Sequence, residues 1–364
     1  MRLKTFIKNN PIFLISLGLA IIMVILGRFD YRDINHGVIL TIFGMMLTLG
    51  GLDHSGFLAD ASVRLIALSQ NTRRLVFSMV LLSFLASFFL TNDVTVMTLL
   101  PIYLVILHYI PPFKGRILGA ALIPVAANLG GIFFPFSNPQ NLIIFDYYPL
   151  TTKTFITWTT PLLLVSFILV MAFPFFVERR SLETTIQKKT IGISLFLESL
   201  LGLLLMVFTV LGILPLIPVI ILVILWALLR HPYLFKKGDY SLLGVFTCFF
   251  IIVGNITTFS VVKNFLEELL QSDTSVFLGG ILLSQGLSNV PTTILLTPFT
   301  SSARALLVGV NIGGLGTLVA SLTNLIGYSL FKKYFPEDKH FFKIFTGVNL
   351  LLLLILSLIF WFTL

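Results

Sequence analysis

Three polar residues, Thr91, Asn92 and Asp93, interrupt the apolar run LASFFLTNDVTVMTLLP at residues 85–101, and a second polar turn, Ser288-Asn289-Val290, interrupts the apolar stretch 274–300. Asn92 and Asn289 bring amide oxygens, and Thr91, Thr95, Ser288 and Thr292 bring hydroxyls. Amide and hydroxyl oxygens supply lone pairs to a hard cation without burying a charge. Asp93 is the one carboxylate at either turn, since its counterpart is Val290. Charge in an apolar run is costly, so Asp93 is expected to act as a cation ligand or a titrating proton carrier. The same residue types also serve as helix N-caps, and Pro291 suits a first helical turn. Recurrence of the polar turn in two apolar runs favours a site, and a cap can also be a ligand.

Two further stretches supply main chain. NLGGIFFPFSNPQNL (128–142) carries Gly130, Gly131, Pro135 and Pro139 inside one apolar segment, and NIGGLGT (311–317) carries Gly313, Gly314 and Gly316. Glycine frees the backbone and proline removes a donor, so a helix is expected to break at each. Irregular backbone survives within a bilayer only where it is buried in protein or lines a wet cavity. Each break exposes carbonyls for a cation, and N–H groups at the start of the next half-helix for an anion. Glycine pairs also permit close packing alone. Lys and Arg are absent from both turns and both breaks, so an anion would be held by helix ends, hydroxyls and co-bound cations. Weaker candidates are Glu198, near a basic loop, and Asp53, His54, His108 and Asp146, at segment ends.

These residues need elements to hold them, and the composition says in what solvent. Of 364 residues, 57% are hydrophobic and 11% charged, which suits a lipid bilayer and not a soluble core. Apolar segments fall at about 11–27, 34–52, 117–145, 154–176, 192–213, 215–229, 241–258, 304–330 and 342–363, giving about nine transmembrane helices. The first is read as a retained helix, because no small-residue cleavage site follows it. The arms 274–287 and 291–300 would span roughly 21 and 15 Å as helix, too short for a core of about 30 Å. Residues 274–300, and 75–109 by analogy, are therefore expected to be re-entrant hairpins. With the N-terminus cytoplasmic and the C-terminus extracellular, only Arg28, Arg32, Lys153, Lys263 and Arg304 of the 24 Lys and Arg lie outside. That partition satisfies the positive-inside bias and makes the hairpins enter from opposite sides. The net charge of +9 is thus a topology signal, and no nucleic acid is expected. Cys248 is the single cysteine, which excludes an internal disulfide framework and a cysteine-based metal cluster.

A repeat accounts for the opposed hairpins. LTNDVTVMTLLP (90–101) aligns with LSNVPTTILLTP (287–298), and 128–142 aligns with NIGGLGTLVASLTNL (311–325), where Asn, Gly, Gly, Asn and Leu coincide. Upstream, the stretches following Gly50 and Val253 both read as a helix end and then an amphipathic segment in the interface. The organisation expected is an N-terminal helix (1–33), repeat 1 (34–176), linking helices (177–240) and repeat 2 (241–364). An all-α polytopic protein with inverted repeats, two discontinuous helices and a hairpin in each repeat has the layout of a secondary transporter.

The paired turns resemble the Ser-Asn-Thr tips of the divalent anion:sodium symporters, and SNPQNL (137–142) resembles the Gly-Asn-Pro-Gln-Asn stretch of related permeases, including those of the citrate type. The Thr-Asn-Asp turn resembles the arsenite permease and sodium/proton antiporter branch of the same ion transporter superfamily. The resemblance runs from about residue 34 to 364. It implies a homodimer, with segments 11–27, 34–52, 192–213, 215–229 and 241–258 as a static scaffold. The hairpins, broken helices and segments 154–176 and 342–363 would then move as an elevator. It implies cation sites, sodium or proton, drawn from Asn92, Asp93, Asn128, Gly130 and Gly131, and from Ser288, Asn289, Asn311, Gly313 and Gly314. A substrate would lie between the tips, against Thr91, Asn92, Asp93, Thr95, Ser137, Asn138, Pro139, Ser288, Asn289, Thr292 and Thr317. Asp93 and Val290 replace the third-position Thr of dicarboxylate carriers, which removes two hydroxyls expected on a substrate carboxylate. That departure points to a smaller anion or a neutral oxyacid.

The leading expectation is a cation-coupled transporter of a small anion that needs no cofactor. The alternative is an arsenite-type efflux permease or a sodium/proton antiporter using Asp93. A channel could also be built from hairpins and breaks. An intramembrane protease would need a second membrane carboxylate or a Ser–His pair at depth, and the sequence offers neither.

Overall fold

The computed structural model describes residues 11–57, 60, 69–182, 191–238, 240–256 and 258–363. Among these the chain is helical, with one isolated bridge, Asn71 to Ser181, and no strand. The first part holds α1 (Pro11–Leu26), α2 (His36–His54), α3 (Thr72–Ala86), α4 (Asn92–Tyr109), α5 (Arg116–Gly130), α6 (Pro139–Tyr147) and α7 (Thr152–Ala172). Two linking helices follow, α8 (Ile193–Val210) and α9 (Leu216–Arg230), and then the short α10 (Tyr233–Lys237). The last part holds α11 (Tyr240–Ile256), α12 (Ser260–Leu269), α13 (Asp273–Leu287), α14 (Asn289–Leu296), α15 (Ala303–Gly313), α16 (Leu322–Tyr334) and α17 (Phe341–Trp361). From α2 to α7 and from α11 to α17 the order matches: a long helix, a helical hairpin, an interrupted helix and a long helix.

Among the described residues four helices are long and apolar enough to cross a membrane by themselves: His36–His54, Thr152–Phe176, Ile193–Val210 and Phe341–Trp361. Helices α1, α9 and α11, which fall in three of the nine apolar segments, have 16, 15 and 17 residues. At 1.5 Å per residue they reach roughly 23–26 Å, somewhat less than a core of about 30 Å. The interface segment expected after Gly50 falls largely on residues 58–59 and 61–68, outside the described ones. Its counterpart is helix α12, which exposes Val261, Phe265 and Leu269 one turn apart and pairs Lys263 with Glu267 at 3.8 Å. An apolar stripe beside a charged flank suits the membrane surface.

Packing divides the helices. The main core joins α3, α4, α5 and α7 to α13, α15 and α17 through Phe84, Tyr103, Phe155, Phe277 and Phe345, all essentially inaccessible. A second core holds α2, α8 and α9 around Leu47, Met206 and Val223. The second arm of each hairpin packs on the far half of the other part's interrupted helix: α4 on α16, and α14 on α6. This crossing brings both tips and both breaks together.

Polar contacts mark the edges. Asn35 caps α2 and donates to Asp146 at 2.7 Å, while Thr98 of α4 donates to Asp53 at 2.6 Å. Helix α2 is thereby tied near both ends. Glu198 accepts from Ser194, Trp226 and Arg230 at 2.8–2.9 Å, with His231 Nε2 at 2.9 Å. His108 stacks on Phe335 with ring centroids 4.5 Å apart.

Candidate functional site

At the first tip, α3 ends at Ala86 and α4 begins at Asn92 after an extended Thr91 whose side chain makes no capping bond. Asn92 is 5% exposed. Its Nδ2 donates to Asn128 Oδ1 at 3.0 Å, and its Oδ1 has no hydrogen-bond partner. That oxygen faces Gly131, where an added Cβ would lie 2.0 Å from it. One turn on, the Thr95 hydroxyl is fully buried and also unpartnered. Asp93 turns toward the other part of the chain and accepts from Thr323 Oγ1 at 2.6 Å.

The second tip repeats the arrangement with differences. Ser288 has φ +75 and ψ 152, the only positive φ of a non-glycine among the described residues. Such a backbone is essentially a glycine conformation and costs of order 1–3 kcal/mol. Asn289 is buried against Gly314, its Nδ2 2.8 Å from where a Cβ would stand, and its N–H donates to Ala320 O at 2.9 Å. Thr292, like Thr95, has a fully buried hydroxyl without a partner. Val290 lies in an apolar cluster with Leu142 and Ile143.

The breaks occupy residues 131–138 and 314–321. Gly130 and Gly131 end α5, and Pro139 opens α6, where a missing N–H costs nothing. Asn138 Nδ2 donates to Gly131 O at 2.9 Å, and Asn141 Nδ2 donates to Gly131 O at 3.1 Å and Phe134 O at 3.4 Å. In matching register, Asn324 Nδ2 donates to Gly314 O and Thr317 O, both at 3.0 Å. The breaks are joined to each other by a reciprocal pair: Asn128 Nδ2 to Asn324 Oδ1 at 2.9 Å, and Asn311 Nδ2 to Asn141 Oδ1 at 2.8 Å.

Two residues expected to face a substrate also tie the breaks to the hairpins. Ser137 donates to Phe88 O at 2.5 Å and Thr317 donates to Gln285 O at 2.8 Å, so each hydroxyl pins a break to its own hairpin. Gly313 O accepts from Gln285 Nε2 at 2.9 Å. A carbonyl has two lone pairs, so Gly313 and Gly314, each with one side-chain donor, keep acceptor capacity, whereas Gly131 O already accepts from two amides. Helices α4, α6, α14 and α16 all start without a side-chain capping bond, which leaves four positive helix ends for an anion. Among the described residues no group of three or more His, Cys, Asp or Glu gathers as a metal-ligand cluster. The chemistry on offer is therefore neutral oxygen donors, helix ends and one carboxylate.

Sequence reasoning missed Asn141 and Asn324 as site residues, along with Gln140, Ser321 and Thr323. Their signal was present: Asn141 and Asn324 coincide when the two glycine-containing stretches are aligned. They stand on helices beyond the breaks, and only the return of the chain brings them to the carbonyls.

The citrate transporter family model (CitMHS) matches residues 6–305. Inner membrane protein YbiR of Escherichia coli is 30% identical over 320 residues, covering 86% of this chain and 85% of that one. The uncharacterized transporter MJ0456 of Methanocaldococcus jannaschii is 27% identical over 334 residues, covering 90% and 89%. The YdaH transporter of Alcanivorax borkumensis, whose crystal structure has been described as having an unusual topology, superposes with a TM-score of 0.54 at 15% identity, covering 96% of both chains. That likeness is one of fold.

Proposed function

The chain belongs to the citrate transporter family, and from that premise we propose that it carries a small anion or oxyacid across the membrane, coupled to sodium or protons, by an elevator movement. It is a multi-pass membrane transport protein and not an enzyme. The coupling cation and the substrate are the proposed part. One observation carries it: Asn92 Oδ1, which faces Gly131, and the Thr95 hydroxyl one turn on are buried polar atoms without partners. Buried polar atoms are nearly always satisfied, so orphaned oxygens of this kind call for a ligand. A sodium ion suits them, since it takes several oxygens and needs no thiolate or imidazole. The substrate would sit between the tips, held by the uncapped starts of α4, α6, α14 and α16. Scaffold and homodimer belong to the same reading.

A second reading is favoured by Asp93, the one acid at the tips, which accepts from Thr323 on the opposite interrupted helix. Beside it an anion is repelled, whereas a neutral oxyacid or an exchanged proton is not. This reading makes the protein an arsenite-type efflux permease or a sodium/proton antiporter. Purified protein in liposomes, with sodium and pH gradients imposed separately and a panel of carboxylates and oxyanions offered, tests both. Gradient-driven accumulation of a solute is the expected result. Proton exchange for sodium without any solute would select the second reading, and uptake indifferent to both gradients would overturn the two together.

A further inference from the structure

We infer that Asn324, beyond the second break, is a positioning residue for the first tip: through Asn128 it makes Asn92 present its oxygen, not its N–H2, to the bound cation. The inference deepens the cation reading of the first tip and rests on it. A primary amide has a donor end and an acceptor end, so its orientation is decided by its partners. The carbonyls of Gly314 and Thr317 can only accept, and Asn324 Nδ2 lies 3.0 Å from each. Asn324 must then turn its Oδ1 to Asn128, which donates to it at 2.9 Å. Asn128 has spent its donor end and offers Oδ1, which takes Ser321 Oγ at 3.1 Å and Asn92 Nδ2 at 3.0 Å. Asn92 is left with its oxygen toward Gly131.

Reverse any link and Asn92 would point two N–H donors at the site, repelling a cation. The irregular backbone of the second break thus dictates what the first tip shows, and a buried amide chain of this kind reinforces itself. The second tip has no equivalent chain, because Asn311 Oδ1 takes Gln140 Nε2, at 3.3 Å, in the place where Asn128 takes Asn92. The influence runs one way, from the second break to the first tip.

The test is the sodium concentration at the midpoint of the rise in unfolding temperature, measured in detergent with choline as the balancing salt, on the full chain. Loss of a group that orients a ligand typically costs 10–100-fold in metal affinity. Asn324→Ala and Asn92→Ala are each expected to raise the midpoint by about that factor, and the double variant no further than Asn92→Ala alone. Ser321→Ala, which deletes one hydroxyl and is the gentler change, is expected to raise it by less, and serves if Asn324→Ala yields no folded protein. A residue that merely supports its own break would give losses that multiply in the double variant. Multiplying losses, or Asn324→Ala and Ser321→Ala both at the wild-type midpoint, overturn the inference while leaving the cation reading intact. A wild-type protein indifferent to sodium overturns both.

Discussion

Gly131→Ala probes the first tip at the point where it is tightest. The new Cβ would stand 2.0 Å from Asn92 Oδ1 and 2.8 Å from Asn138 Nδ2, the first well over an ångström inside ordinary contact. Both neighbours are side chains, so the fold survives by swinging Asn92 away. That movement breaks the 3.0 Å bond to Asn128 and strands buried amide groups, at about 1–3 kcal/mol. It also withdraws the proposed ligand, and the sodium midpoint for transport or thermal stabilisation should rise about 10–100-fold. Two neighbouring changes bracket the result. At Gly130 the added carbon would meet the main chain, 2.0 Å from Phe84 O, which no rotamer change relieves, so Gly130→Ala should give little folded protein. At Gly286 nothing lies within 4 Å, and Gly286→Ala should behave as wild type. Gly131→Ala protein that is folded and keeps the wild-type sodium midpoint would refute the reasoning.

Other outcomes follow from single contacts. Asp93→Asn keeps an acceptor for Thr323 but cannot titrate, and should flatten the pH dependence of transport; identical transport at every pH and sodium level would remove Asp93 from coupling. Ser288→Gly relieves backbone strain of about 1–3 kcal/mol against up to about 1 kcal/mol of added chain freedom, and should raise the unfolding temperature in sodium-free detergent. A fall there would mean that the tip is not strained. Glu198→Ala removes the acceptor of the part-buried Trp226 N–H and the partner of the exposed Arg230, and should destabilise the protein by about 1 kcal/mol without moving the sodium midpoint, as circular dichroism melts and sodium titrations would report.

The interruptions were legible because glycine and proline act locally: the helices stop at Gly130 and Gly313 and resume at Pro139 and Leu322, inside segments read as broken. The polar turns were legible because polar residues in apolar runs stand out, and α4 and α14 begin at Asn92 and Asn289. The use of each hydroxyl was not. Ser137 and Thr317 donate to Phe88 O and Gln285 O, acceptors chosen by how each hairpin folds against its break. The partners of Glu198 were not legible either, because Trp226, Arg230 and His231 lie on and just beyond another helix. Pairings between distant helices leave no mark in local pattern, and that is the part the sequence withheld.

The reciprocal amide pair has a consequence for how the chain can change. Across the two parts Asn128 Nδ2 is answered by Asn324 and Asn311 Nδ2 by Asn141, while Asn311 also donates to Leu307 O of its own helix. Sever the polypeptide between α9 and α11 and each fragment would carry carboxamides that had lost the partner on the other side. The fragments would be inert apart and competent only when made together. Drift at one glycine-rich stretch is likewise constrained by the other, so the two must alter in step.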